Sequence, residues 1–271
     1  MRPNDSFNAR SLRQAVLDMA YSGQTVHIGC AFSIVEILAV LYRDHLRYPD
    51  DRYDHPTRDY LVLSKGHGVM AQYACLREKG WLEQRELDDY FKNGTRLRGL
   101  SEVHIPGTEV TSGSLGHGLS VGVGLALAAK RKGTGQRCYA IVGDGEADEG
   151  SIWEALLFAA QFKLDNLFVI IDKNGFQAMG ATSDVMDLAD MDGKLQFFGF
   201  DVASVDGHDE GGLHKALQGL EALANGRPKA IVARTVKGKG VSFMEGVNLW
   251  HYTRLTADTY AAASRELAVS R

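Results

Sequence analysis

The chain has 271 residues, enough for one large domain or two small ones. Hydrophobic residues make up 45% and charged residues 24%, as in globular proteins with a core, and the net charge of −4 excludes a general nucleic-acid-binding surface. No apolar stretch has the length of a signal region or of a membrane helix of ~20 residues. The three cysteines are scattered along the sequence, which predicts reduced thiols in a cytoplasmic protein.

The first part of the chain shows helical periodicity. Apolar residues recur at helical spacing over residues 8–21 and 33–46, and Ser33 with Glu36 has the spacing of a capping box. We therefore expect a helical N-terminal extension over about residues 1–60.

A short apolar run marks the first predicted strand. It covers residues 60–63 and ends at the glycine-containing turn 64–68, which leads into a helical stretch through Arg77. Residues 83–92 are predicted as a further helix and 93–113 as a long loop.

From residue 114 onward, strands and helices alternate. We predict helices at 114–130, 149–162, 187–198 and 210–224, and strands at 137–142, 167–172, 200–205 and 229–235. Continuous apolar strands separated by helices indicate an α/β fold with a mostly parallel sheet and helices on both faces. We expect one domain over 1–271, with a C-terminal tail from about 247 that includes an amphipathic helix at 257–269.

Two of these strands end in polar turns. Gly143, Asp144 and Gly145 follow the strand at 137–142, and Asn174 follows the next strand. Neighbouring parallel strands place such turns at the same carboxyl edge, where ligands bind. One carboxylate and one amide oxygen suit Mg²⁺, and the glycines allow a diphosphate to approach the backbone. A Gly-Asp-Gly turn alone could be structural, but its spacing to Asn174 across a strand–helix–strand unit favours a binding site.

This paired pattern resembles the thiamine diphosphate signature, a GDG followed at this distance by an asparagine. The resemblance extends over nearly the whole chain, which is similar to the N-terminal half of transketolase in the version encoded as two separate subunits. The matching segments occur in the family's order and are 27–29, 63–68, 111–118, 143–145 with 174, 206–209, 237–240 and 250–251.

The resemblance implies a thiamine diphosphate-binding fold and a set of site residues. Asp144, Asn174 and the carbonyl of Phe176 would hold Mg²⁺. The implied cofactor contacts are His67, Gly113, Ser114, Leu115, Gly143, Asp144, Gly145, Glu146, Asn174, Phe176, Lys237 and His251. The implied catalytic groups are His27, His67, His251 and His117. Glu149 matches an acidic position in a carboxylate network across the subunit interface.

The chain departs from the family in four places. A His-Pro unit is absent, with Gly99 and Leu100 in its place and His104 displaced. His117 stands where glutamine is usual, and Ala178, followed by Met179, stands where a bulkier apolar residue is usual. After His251 the sequence continues as Tyr252-Thr-Arg in place of a glycine-led turn. These changes cluster around the expected substrate, so the resemblance does not identify it.

The resemblance also implies a partner. The glutamate that activates the cofactor lies in a pyrimidine-binding domain, and we expect that domain on a second subunit, in a heterotetramer. The implied reaction transfers a two-carbon ketol or acyl unit from a ketose or 2-oxo acid donor to an aldehyde or ketone acceptor.

Three alternatives remain open from the sequence. The first is the α subunit of a 2-oxo acid dehydrogenase, which shares the cofactor motif. The second is a dinucleotide-binding oxidoreductase, in which residues 113–118 would form the phosphate loop, although no strand precedes them. The third is a silent scaffold, and the intact Asp144, Asn174, His67 and His251 argue against it.

Overall fold

A computed structural model describes residues 7–269. Its centre is a five-stranded sheet in the order β1-β2-β3-β7-β6, and all neighbouring strands are parallel. The strands are β1 (Tyr60–Leu63), β2 (Cys138–Gly143), β3 (Leu167–Lys173), β6 (Asp201–Asp206) and β7 (Lys229–Arg234), and a separate hairpin joins β4 (Phe176–Gln177) to β5 (Gly180–Ala181).

Eleven α-helices are assigned within the described residues. They are α1 (Ala9–Ser22), α2 (Ile28–Phe32), α3 (Val35–Val40), α4 (Val69–Glu78), α5 (Gln84–Asp88), α6 (His117–Lys132), α7 (Gly150–Gln161), α8 (Thr182–Val185), α9 (Met191–Phe197), α10 (Glu210–Glu221) and α11 (Ala257–Val269). No helix between residues 7 and 269 combines the length and apolar character needed to cross a bilayer.

The strands bury side chains on both faces of the sheet. Tyr139 and Ile141 of β2 join a core formed with α1, α3, α4 and α10, whereas Ala140 and Val142 join a core formed with α6, α7 and α9. Because successive strand residues point to opposite faces, continuous apolar strands require this double cover. The predicted parallel sheet with helices on both faces is confirmed.

The predicted helix at 33–46 is divided in the structure, and the capping box is wrong. Ser33 is the C-cap of α2, and its buried hydroxyl donates to the Cys30 carbonyl (3.0 Å) and to Asp172 Oδ2 (2.8 Å). Glu36 instead pairs with Arg13 and His208. Both side chains therefore bond to residues on other elements, and they do not cap the start of a helix.

Other helix boundaries differ for local backbone reasons. The helix predicted from 114 begins at His117, because Gly113 (φ 142°) and Gly116 (φ 83°) adopt conformations outside the helical region. The helix predicted at 83–92 is shorter, and Phe91 has a left-handed φ of 61°. The hairpin of β4 and β5 was not predicted, since strands of two residues carry no periodic signal.

Candidate functional site

The predicted site residues converge on a cavity of about 550 Å³ at the carboxyl edge of the sheet. The turns after β1, β2 and β3 reach this cavity. Gly143 of β2 is in register with Asp172 of β3, and the Asp144 amide donates to the Asp172 carbonyl (3.2 Å). The two polar turns therefore lie side by side, as the parallel pairing predicts.

Asp144 presents a buried carboxylate to this cavity. Its oxygens accept hydrogen bonds from the backbone amides of Gly145 (2.9 Å) and Gly175 (2.6 Å), and it forms no ion pair within residues 7–269. Burial, together with the nearby charge of Asp172, raises the pKa of Asp144 to about 6. A carboxylate in this condition is a suitable ligand for a divalent cation.

Asn174 is oriented by Asp172. The Asn174 amide group donates to Asp172 Oδ2 (2.8 Å), so its carbonyl oxygen is turned away from Asp172 and accepts from the Phe176 amide (3.1 Å). Asp172 also accepts from Ser33, from Thr235 and from Lys65, which is buried. Burial would raise the pKa of Asp172, but Lys65 and these hydrogen bonds hold it below its usual value.

These orienting residues were not singled out in the sequence. Asp172 ends a predicted strand two residues before Asn174, and Lys65 lies within the motif that contains His67. The available signal was a charged residue at the end of one apolar strand and a lysine of opposite charge just after another.

Three histidines from distant parts of the chain meet at the cavity. The ring centroids of His27, His67 and His251 are 5.2 to 5.6 Å apart, and the His27 amide donates to the His251 carbonyl (3.1 Å). Burial is the main cause of a lowered pKa at each ring, and it brings His251 to about 3. The rings are therefore neutral near pH 7 and can both donate and accept protons.

Lys237 contacts the histidine cluster rather than lining the cavity. Its ammonium donates to His251 Nδ1 (2.7 Å) and to Asn248 Oδ1 (3.1 Å), and burial lowers its pKa. In this structure it lies behind His251, where it limits the directions from which the ring can bond.

Glu146 joins three turns beneath the site. One of its oxygens accepts from the Ser64 hydroxyl (2.5 Å) and the Gly116 amide (2.9 Å), and the other accepts from the Gly143 amide (3.1 Å). It borders the cavity, but both oxygens are directed toward protein groups. Through these hydrogen bonds Glu146 holds the turn after β2 against the start of α6.

The cavity brings together most of the predicted set. Residues that line it are His27, His67, Gly113, Leu115, Gly143, Asp144, Gly145, Glu146, Asn174, Phe176 and His251. Ser114 and His117 do not line it. The Nδ1 atom of His117 lies 3.3 Å from the Ser114 hydroxyl and 3.2 Å from the Leu115 carbonyl, at an exposed position.

The departures from the family pattern have distinct positions. Leu100 lines the cavity beside Gly113, whereas His104 lies outside it, exposed and paired with Glu102. Ala178 and Met179 both line the cavity. The Tyr252 ring lies 5.7 Å from the His27 ring and is 71% exposed.

Comparisons with known proteins find similar transketolase subunits. An apulose-4-phosphate transketolase subunit of Phocaeicola vulgatus is 40% identical over 256 residues, which cover 94% of this chain and 91% of that protein. The 6-deoxy-6-sulfo-D-fructose transketolase subunit SqwG of a Clostridium species is 40% identical over 242 residues, with 89% of this chain and 88% of that protein covered.

Solved structures show the same fold. Transketolase from Leishmania mexicana superposes with a TM-score of 0.88 at 32% identity, over 96% of this chain and 40% of that one. Transketolase from Campylobacter jejuni superposes with a TM-score of 0.89 at 29% identity, and the match covers 99% of this chain and 43% of that one. The chain thus spans about two fifths of the length of these two structures. The sequence model described as "Transketolase, thiamine diphosphate binding domain" matches residues 5–270, and the chain belongs to this family.

Proposed function

We propose that this chain is the diphosphate-binding subunit of a two-subunit, transketolase-like transferase. The enzyme would transfer a two-carbon ketol or acyl unit from a ketose or 2-oxo acid donor to an aldehyde or ketone acceptor. The observation that carries the proposal is the single cavity in which Asp144 and Asn174 face three neutral histidines. Similar proteins are named as separate subunits of transketolases, which supports a divided enzyme.

The residues present fit thiamine diphosphate and Mg²⁺. Asp144, Asn174 and the Phe176 carbonyl would hold the cation, because a buried carboxylate without an ion-pair partner in residues 7–269 and two neutral oxygens form a hard donor set. His67 would contact the diphosphate. When bound, the cofactor supplies the carbanion stabilisation that carbon–carbon cleavage requires.

The histidines would handle protons at the substrate. His27 and His251 are neutral, half-buried and beside each other, so His27 can accept a proton from a donor hydroxyl and either ring can return one to an acceptor oxygen. Lys237 donates to Nδ1 of His251, so the hydrogen of this neutral ring is on Nε2, which can donate it to an acceptor oxygen. Leu100, which also lines the cavity, would help to exclude water.

The partner would cover an apolar surface on α6 and α7. Val121, Leu157, Phe158 and Phe162 are each between 41% and 58% exposed, and the two phenylalanine rings stack 4.2 Å apart. Adjacent exposed apolar side chains of this kind are typical of interfaces. We propose that a second polypeptide with a pyrimidine-binding domain and its glutamate docks here, in a cytoplasmic heterotetramer.

The alternatives are less well supported. Residues 113–118 follow a loop rather than a strand, which does not fit a dinucleotide-binding turn. The α subunit of a 2-oxo acid dehydrogenase has the same cofactor motif, but the similar proteins described above have transketolase names. A silent scaffold would not need to keep Asp144 and the three histidines in one cavity.

Reconstitution tests the proposal. The purified chain would be mixed with a pyrimidine-domain partner, thiamine diphosphate and Mg²⁺, and loss of donor would be followed with a panel of ketose phosphates and 2-oxo acids. We expect turnover only in the mixture. Donor-to-acceptor transfer by this chain alone would refute the divided enzyme, and transfer to a lipoyl group alone would favour the dehydrogenase alternative.

A further inference from the structure

Cys30 places a thiol next to two of the cavity histidines. The ligand atoms of Cys30, His67 and His251 all lie within 4.8 Å of one another, and Cys30 Sγ is 3.7 Å from His251 Nδ1. Cys30 is 3% exposed and lines the cavity. The proposed transferase function assigns no role to this thiol.

The 3.7 Å separation of Cys30 Sγ and His251 Nδ1 matches a tetrahedral metal site, and His67 lies within reach of both atoms. Zinc binds cysteine sulfur at about 2.3 Å and histidine nitrogen at about 2.0–2.1 Å, so a tetrahedral angle separates the two ligand atoms by roughly 3.6 Å. Thiolate and imidazole are ligands for zinc-class ions, whereas Mg²⁺ prefers oxygen. The cluster therefore differs in chemistry from the oxygen ligands Asp144 and Asn174.

We propose that Cys30, His67 and His251 form a second cation site, which takes a zinc-class d-block ion and leaves its fourth position open to the cavity. On binding, the Cys30 S–H bond is replaced by a sulfur–metal bond and the proton passes to solvent. The ion would occupy the nitrogens of His67 and His251, so metal and diphosphate would compete for the same cavity.

Two lysines oppose a cation at this place. Lys237 donates to His251 Nδ1, the atom nearest to Cys30 Sγ, and Lys65 donates to the Cys30 carbonyl (3.1 Å). A bound ion would displace the Lys237 ammonium from His251, and Lys237 would keep Asn248 Oδ1 as its acceptor. The structure therefore predicts opposite effects for two substitutions: Cys30→Ser weakens the site and Lys237→Met strengthens it.

Cobalt is a suitable probe because a thiolate–cobalt bond gives a charge-transfer absorption in the near ultraviolet. We expect the full-length, cofactor-free chain to bind one Co²⁺ with this absorption and to lose it when Zn²⁺ is added. Cys30→Ser should abolish the absorption and weaken binding by at least about tenfold. Lys237→Met should tighten binding by roughly tenfold, because it removes a competing donor and a repelling charge.

Matched controls are available in the same chain. Cys75→Ser changes a buried thiol in the helical core and His104→Ala removes an exposed imidazole, so neither should alter cobalt binding. Circular dichroism would establish that each variant is folded. The proposal is overturned if the wild type gives no charge-transfer absorption, if Cys30→Ser retains it, or if Lys237→Met binds no more tightly.

Competition between the metal ion and the cofactor is tested in a separate experiment, and only this experiment rests on the proposed function. Thiamine diphosphate with Mg²⁺, at concentrations where calorimetry detects binding, should weaken apparent cobalt affinity in proportion to cofactor occupancy. Unchanged cobalt affinity in the presence of bound cofactor would refute the shared cavity. Failure of the cofactor to bind in calorimetry would instead count against the proposed function.

Discussion

Asp172→Asn would remove the negative charge that pairs with Lys65 and keep the shape of the side chain. Both partners are buried, with side chains 0% and 2% exposed, so the Lys65 ammonium would remain in the protein interior without its ion-pair partner. Breaking one side of such a pair costs about 3–5 kcal/mol. Lys65 also donates to the Cys30 carbonyl and to Ser33 Oγ, so we expect a loss near the lower limit.

This loss can be measured by chemical and thermal unfolding. At roughly 2–4 °C per kcal/mol for a chain of this size, the melting temperature should fall by about 6–12 °C. The double variant Lys65→Met with Asp172→Asn removes both charges of this pair, so it should recover more than half of the loss. Asp165→Asn, which breaks the exposed pair with Lys130, serves as the control and should have little effect.

Two results would refute this reasoning. One is a destabilisation by Asp172→Asn of less than about 1 kcal/mol, which is the range of an exposed pair. The other is a double variant that is less stable than Asp172→Asn, because the single change would then not act through the unpaired lysine.

Further predictions concern the cofactor, the protons, acid stability and the partner. Asp144→Ala should abolish Mg²⁺-dependent thiamine diphosphate binding in calorimetry while circular dichroism stays unchanged, and retained affinity would remove Asp144 from the cation site. His27→Ala or His251→Ala should lower turnover by about 10²–10⁴-fold with a smaller change in cofactor affinity, and full turnover would exclude that ring from proton transfer. Burial would raise the pKa of Glu36, but His208 and Arg13 hold it at about 2, below its ordinary 4.5. Glu36 therefore stabilises the fold above pH 4.5 and loses this contribution as pH falls toward 2, so Glu36→Gln should flatten the pH dependence of unfolding there. Phe158→Asp should weaken association with the partner in sedimentation experiments but leave the melting temperature of the isolated chain nearly unchanged, and an unaltered complex would place the interface elsewhere.

Much of the fold follows from local sequence pattern. The runs at β2 and β3 are apolar and bounded by glycine or polar residues, so their type and their parallel pairing were predictable. Asp144 and Asn174 were predictable for the same reason, because each follows a strand directly. The resemblance to transketolase added His27 and His251, whose approach across the chain no local pattern indicates.

Other features depend on contacts that sequence spacing does not encode. Ser33 and Glu36 have capping-box spacing, but buried partners on other elements determine where their side chains bond. Likewise, Lys65 follows β1 and Asp172 lies near the end of β3, on either side of β2, and only the register of these three strands shows that the two charges meet beneath the site.

The hydrogen bond between the His27 amide and the His251 carbonyl has a consequence for synthesis and folding. The Cys30–His251 contact beside it joins residues 221 positions apart, so this site closes only after the whole segment between them has been synthesised. During synthesis the sheet can form while His251 is still within the ribosome, but the cavity cannot. A polypeptide interrupted after β7 could therefore fold its centre yet lack His251 and with it part of the cavity wall.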